Sequence, residues 1–440
     1  MSSFGYDPKL SRRRLVRAGG AAAALGFAGC LGNDGDSDGD DGDAEPDGPE
    51  LEVLHPWIAP AEHSAMETLT AAFEDANPDI VTDFFANSGD TPYRERIGDR
   101  LDADAPPSSF ACRAGGNLER YRAHLGAAAD EIWKEADLSS VSPPEIRNLC
   151  RVDGEQLAVP VGAYRTNHLF YSVRVVEEAG VDPDALSTPA ELMGALDRVA
   201  ETTDATPMAH PMKGSWATLQ LFANVLLGQD GNDAYVTFVE DGGAGSAVRS
   251  ALETTGEILS NYVTDDAASM NPAIANDSLA SDEAAFLPQG TWTATDLRAN
   301  DFDYGADWGS VPFPGTDGTY GLALDSFVAP VDGAGENPSP RATDAWLRHV
   351  ADAESQRSFN ARRGSVPPRT DISTAPFDQF LTELTEEFRT ADSRPPSLAH
   401  GLAVAPEQLS AMESVVEEQF SGPFDVDATA EGLLEVTRNG

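Results

Sequence analysis

Lysine is almost absent from this chain. Lys9, Lys134 and Lys213 are the only three, and arginine makes up the rest of the 29 basic residues. Cysteine is equally scarce, with Cys30, Cys112 and Cys150 alone, too few for a disulfide framework. No apolar run reaches the roughly 18–20 residues that a membrane-spanning helix needs. Positive charge is rare as well: 74 acidic residues against 29 basic ones leave a net charge of −45. A nucleic-acid-binding protein needs a basic face for phosphates, and this balance excludes one. What is present is a chain of 440 residues, 41% hydrophobic. That length suits two or three domains and can bury a sizeable core without disulfides or metals. An Asp/Glu-rich, Lys-poor surface suits solubility in very high salt, where carboxylates hold water and screening shortens their repulsion.

The N-terminus reads as an address and an anchor. Ser11-Arg12-Arg13-Arg14-Leu15-Val16 precedes a small-residue apolar stretch from Ala18 to Gly29, the pattern of a twin-arginine export signal. The stretch ends Phe27-Ala28-Gly29-Cys30, which resembles a lipobox with Cys30 as the lipid-bearing first residue of the mature chain. Residues 30–49 then form an acidic Gly/Asp tether expected to be disordered. Asp34, Asp36, Asp38, Gly39 and Glu45 meet calcium-loop spacing, but inside an Asp/Gly repeat with no flanking helices the match is one of composition. Cys112 and Cys150 are expected to be free, buried thiols.

Beyond the tether, the pattern is α/β. Leu51–Leu54 reads as a strand and Glu62–Ala76 as a helix with Met66, Leu69 and Phe73 on one face, stopped by Asn77-Pro78. Ile80–Phe85 reads as the next strand, and the strand–helix–strand order predicts a parallel pair. Leu169–Ser172 is strand-like and Val173–Ala179 helical, ended by Gly180. Thr188-Pro189-Ala190-Glu191 opens a further helix through a capping box with Pro at its first position. Helices dominate from there to Leu259. Glu283–Leu297 and Thr319–Val331 carry strand signals, and the C-terminal stretch is helical. No interior linker is visible, so the domains are expected to interleave.

Signs of catalysis are lacking. The seven histidines are scattered, and there is no zinc-protease pair, no nucleophile elbow, no phosphate loop and no dinucleotide fingerprint. Carboxylate pairs carry no information among 74 acids, so an acid dyad for glycoside hydrolysis stays open without positive support. Several residues instead have the look of binding groups: Trp57 just after the first strand, Trp292 in Gly290-Thr291-Trp292, Asp325 inside an apolar run, Arg363 before Gly364-Ser365, and His400 after Pro395-Pro396-Ser397. Taken singly, each has a plain structural reading as core, turn or surface.

Together they carry a resemblance. From Leu51 to about Val436 the chain resembles the extracellular solute-binding proteins of ABC sugar importers. Asp153-Gly154-Glu155-Gln156-Leu157-Ala158-Val159-Pro160-Val161, Leu169-Phe170-Tyr171-Ser172, Glu178-Ala179-Gly180-Val181 and Glu283–Trp292 resemble the generic family signatures. Arg165-Thr166-Asn167, Pro312–Thr316, Asp325-Ser326-Phe327-Val328, Gly364-Ser365-Val366-Pro367 with Arg369, and Pro396–His400 resemble the glucose/galactose-type subfamily. Tyr164, where that subfamily often has His, Ser172, where the signature has Asn, and the arginines at 113 and 363, where Lys or His is commoner, depart from it. Arginine's planar fork would rearrange hydrogen bonds to hydroxyls, and two site arginines could favour an acidic sugar.

The resemblance implies a two-lobed periplasmic-binding-protein fold, type II-like, with a ligand cleft between the lobes and hinge strands crossing near Val161–Tyr164 and Leu322–Leu324. One lobe would comprise residues 50–162 plus 325–370 and the other 163–324 plus 371–440. It implies ligand contacts at Trp57, Glu62, Arg113, Trp292, Asp325, Arg363 and His400, with no catalytic residue, metal or cofactor. The expected ligand is a glucose-like monosaccharide, and the expected partner a membrane permease. The protein would be a monomer on the outer face of the cell membrane, attached only through Cys30. The alternatives are a lipid-anchored carbohydrate-active enzyme, or the same binding role for a pentose, an acidic sugar or an oligosaccharide. Asn276-Asp277-Ser278 is a glycan-acceptor sequon.

Overall fold

The computed structural model describes residues 48–86, 90–126, 128–331 and 339–439. The export signal, the Cys30 anchor, the tether and the Asp34–Glu45 spacing lie outside them. Eleven strands are described: β1 (Glu50–His55), β2 (Val81–Ala86), β3 (Ser109–Arg113), β4 (Arg151–Val152), β5 (Glu155–Gln156), β6 (Ala158–Arg165), β7 (His168–Ser172), β8 (Thr206–Met208), β9 (Ala284–Gln289), β10 (Trp308–Pro312) and β11 (Leu322–Val328). They form a five-stranded sheet in the order β2-β1-β3-β11-β6, a four-stranded sheet in the order β10-β7-β9-β8, and the small hairpin β4–β5. Helices pack on both sheets, which gives the two-lobed α/β architecture.

The first βαβ unit forms as its sequence directs. β1 and β2 pair in parallel, Leu51 opposite Thr82. The helix between them, Pro60–Ala76, buries Ala65, Met66, Leu69 and Phe73. Pro60 occupies the first turn, where its missing N–H costs nothing. Glu62 reaches back to accept the Ala59 N–H at 3.3 Å, which ties this carboxylate to the start of the helix. Beneath the sheet, Phe73 and Phe327 pack edge-on against Trp346, with ring centroids 5.5 and 5.1 Å away. The second lobe is built on helices Trp216–Asp241, Gly245–Asn261, Pro406–Phe420 and Val426–Arg438, which pack together around Phe222, Phe238 and Phe420.

The chain leaves the five-stranded sheet after Arg165 and enters the other at His168, so Thr166-Asn167 is the passage between them. It returns through residues 313–321. β6 and β11 run side by side, Leu322 opposite Arg165 and Val328 opposite Ala158. The strands expected to cross thus pair within one sheet, and the passages fall just beyond their ends.

Strand signals over Glu283–Leu297 resolve differently from the expectation. β9 stops at Gln289 and a helix spans Thr293–Ala299. The Thr-rich segment favours a strand locally, but the turn at Gly290 ends the ladder and tertiary packing decides the rest. Asn276 is 5% exposed and donates to Asp296 at 2.7 Å, so the sequon's acceptor is turned into the protein rather than presented for a glycan. Both described cysteines are free: Cys150 is buried and Cys112 half-buried.

Candidate binding cleft

Six of the seven residues singled out in the sequence line one cavity of about 1030 Å³: Glu62, Arg113, Trp292, Asp325, Arg363 and His400. Each reaches it by a separate local device. Asp325 lies in β11, where the ladder to β6 slips: Gly162 faces Asp325 but Pro160 faces Ser326. Such an irregularity re-aims a strand's side chains. On the other side Asp325 stands opposite Arg113 of β3. Burial pushes the Asp325 carboxyl up, and Arg363, Arg113 and the adjacent Tyr164 hydroxyl draw it back down.

Arg363 is the last residue of helix Ala353–Arg363, where the helix dipole favours a cation. Gly364 ends that helix at φ 72°, and a Cβ there would meet Thr295 Oγ1 at 2.1 Å. The chain then pairs with β6 through Ala163 and Val366. The guanidinium sits 5.6 Å from the Trp57 ring and 5.3 Å from that of Tyr164. Its Nη2 lies 2.9 Å from Glu62 and 3.7 Å from Asp325. Arg363 Nε is buried without a hydrogen-bond partner among the described residues.

Trp292 and His400 make an aromatic wall with their ring centroids 5.1 Å apart. The Trp292 indole folds back over Gly290, where a Cβ would lie 2.1 Å from the ring, so only glycine allows this turn. His400 Nδ1 shares a 2.8 Å hydrogen bond with Ser397, and Asn117 holds the backbone carbonyls of His400 and Gly401 at 3.0 and 2.8 Å.

Trp57, the seventh expected contact, does not line this cavity. Its indole is 4% exposed, packs on Phe327 and Phe359, and lines a smaller adjoining recess of about 280 Å³ instead of the main cavity. The strand end that aims it at the cleft also buries it under Arg363. Sequence reasoning missed Trp216, half-buried and 5.8 Å from the His400 ring and 6.4 Å from Trp292. Its signal was an aromatic residue directly after Gly214-Ser215, the same cue that picked out Trp292. Asp296, Arg94 and Arg120 also line the cavity, and nothing in their sequence neighbourhoods separates them from the many other acids and arginines.

The arrangement holds aromatic faces opposite paired carboxylates and guanidinium groups, suited to a ligand with apolar and hydroxyl-bearing surfaces. Residues 116–384 match the family model described as bacterial extracellular solute-binding protein. The chain belongs to that family. A xylose/arabinose-binding protein, XacG of Haloferax volcanii, is 37% identical over 97% of both chains. An uncharacterized ABC transporter extracellular-binding protein of Pyrococcus horikoshii is 28% identical, over 88% of this chain and 87% of that one. Among solved structures, a chitin oligosaccharide binding protein shares the fold with a TM-score of 0.75 at 19% identity, covering 89% of this chain and 99% of that one. As a member of the solute-binding family, the protein is an extracellular binding protein and not an enzyme.

Proposed function

We propose that this chain is the substrate-binding component of an ABC importer, holding one carbohydrate between its lobes and delivering it to a membrane permease. The observation that carries this is the convergence of Glu62, Arg113, Trp292, Asp325, Arg363 and His400 on one cavity in a member of the solute-binding family. A pyranose ring's C–H face lies on the Trp292 indole. Its hydroxyls donate to Asp325 and Glu62 and accept from Arg113, Arg363 and His400. A hydroxyl that misplaces its partner leaves a group unpaired at about 1–3 kcal/mol, which lets the cleft separate epimers.

Trp292 and His400 touch the ligand from one side, Asp325 and Arg363 from the other, so binding favours the closed state. The lobes in this reading are residues 50–162 with 325–370 and 163–324 with 371–440. The protein is a monomer, exported by the twin-arginine route and held near its permease by a lipid on Cys30, which raises its effective concentration there. The Haloferax relative is named for xylose and arabinose, which favours an aldopentose as ligand. The motifs shared with glucose/galactose-type proteins support a glucose-like aldohexose as the second reading.

Calorimetry of the protein in molar salt against xylose, arabinose, glucose and galactose tests the role. Saturable one-to-one binding with the sugar recovered unchanged is expected. Conversion of the sugar over time would mean an enzyme. Silence across the panel from a folded protein would remove the monosaccharide reading.

A further inference from the structure

The main cavity is larger than one sugar ring needs. Its volume of about 1030 Å³ stands at the top of the roughly 300–1,000 Å³ that encloses a drug-sized ligand, and a single pyranose is well below that size. The surplus lies between two helices that carry none of the six proposed contacts. Arg94, Glu95, Gly98, Asp99, Leu101 and Asp102 line the cavity from one face of helix Asp90–Asp102. At about 1.5 Å per residue this face runs for about 12 Å. Pro406, Leu409, Ser410 and Glu413 line it from one face of helix Pro406–Phe420, over about 10 Å. The two faces come close to each other, for Arg94 draws the Glu413 carboxyl's pKa down against the rise that burial gives it. Beyond them the space continues into an adjoining groove of about 750 Å³, which shares Arg120, Pro406 and Ser410 with the cavity.

Gly98 is a second, independent sign that this arm is kept open. It lies inside helix Asp90–Asp102, where glycine is weaker than alanine. A Cβ there would meet nothing within 4 Å beyond its own stretch of helix backbone, so packing does not demand glycine. What the missing side chain leaves is space on the cavity wall. The aromatic wall points the same way. The Trp216 and Trp292 rings are inclined at 54°, so one flat pyranose stacks on only one of them. Carboxylates outnumber guanidinium groups along the cavity, which suits a neutral chain rich in hydroxyl donors better than an anionic ligand.

Resting on the sugar-binding reading above, we propose that the ligand is a neutral oligosaccharide whose end ring sits against Trp292, Asp325 and Arg363 and whose following units run between helices Asp90–Asp102 and Pro406–Phe420. The pentose or hexose of that reading is then the repeating unit of the ligand and not the whole of it.

The test is calorimetry of the full chain in molar sodium chloride with xylose, xylobiose, xylotriose, glucose, cellobiose and maltose. At least one of the longer sugars is expected to bind about tenfold or more tightly than its own monosaccharide, the gain of added hydrogen bonds along the arm. In Gly98→Trp and in Ser410→Trp an indole fills the arm from either side, and the ratio of longer-sugar to monosaccharide affinity should fall toward one. Circular dichroism of both variants checks that they are folded. Monosaccharides bound as tightly as every longer sugar would overturn the inference and leave the importer role standing. A gain that survives in both folded variants would overturn the arm as its seat. No binding by any of the six would sink the sugar-binding reading, and this inference with it.

Discussion

At the scale of single residues, the cleft sets function against stability most clearly at Asp325. It is 9% exposed, and burial raises its pKa above the ordinary carboxylate value. A group whose folded pKa is raised contributes stability at acid pH that is lost as pH rises through that folded value. The ionised Asp325 is therefore a cost to the fold at neutral pH, offset only in part by Arg363 and Arg113. Asp325→Asn should keep or raise the thermal midpoint at pH 7 and weaken sugar binding by about tenfold or more, as a charge-assisted acceptor is lost. Thermal denaturation and calorimetry on the same sample check both halves. Trp292→Ala removes the stacking face and should weaken binding by about tenfold to a hundredfold, from about 1.5–3 kcal/mol of buried aromatic contact. Trp216→Ala should act in the same direction, which titration of that variant would show.

At the scale of elements, the passages between the sheets are fastened by a polar buckle. Arg165, 3% exposed, donates to Glu387 Oε2 at 2.8 Å, to the Thr319 carbonyl at 2.8 Å and to Asn167 Oδ1 at 3.1 Å. Asn167 in turn donates to Thr316 Oγ1 at 2.8 Å and accepts from the Gly321 N–H at 2.7 Å. The outgoing passage at 166–167 is thus tied to the returning one at 313–321, and both to helix Gln379–Thr390. Burial alone would raise the Glu387 pKa, but the His168 hydrogen bond and the charges of His168 and Arg165 bring it down to about 2. A depressed carboxylate stabilises the fold above its unfolded value near 4.5, and that stability is lost as pH falls toward 2. Glu387→Gln should cost about 1–3 kcal/mol at pH 7, the lower range reflecting a carboxylate still one-third exposed, and should flatten the pH dependence between 4.5 and 2. Denaturant titrations of both proteins at pH 7 and pH 3 measure this. Arg165-Thr166-Asn167 was legible as a signature, but its role as a fastening was not, because its partners lie more than 140 residues away.

At the scale of the whole molecule, two lobes meet over a cavity that draws on both. Ligand bound there should stabilise closure, so the radius of gyration in solution scattering should fall on adding a saturating sugar and stay unchanged in Trp292→Ala at the same concentration. The first βαβ unit, helix Val173–Ala179 with its Gly180 stop, and helix Pro189–Thr202 with its Thr188 cap were all written locally, in periodicity, capping and turn residues. Net charge and lysine scarcity were likewise properties of composition. Six of the seven proposed contacts line one cavity; Glu62 and Arg113 were named only through the family resemblance, and Asp325 lies inside β11, where nothing local marks it but a charge within an apolar run.

Other features depended on the meeting of distant segments. Trp57 was legible as an aromatic residue near the cleft, but its burial under Arg363 depends on Phe327 and Phe359 arriving from the far end of the chain. The helix at Thr293–Ala299 and the inward turn of Asn276 also follow from packing. The sequence by itself determined the α/β class and most of the elements, since periodicity and capping act over a few residues. Which side chains line the cavity, and which are buried behind it, was left to the tertiary structure, because burial and charge pairing are set by neighbours in space.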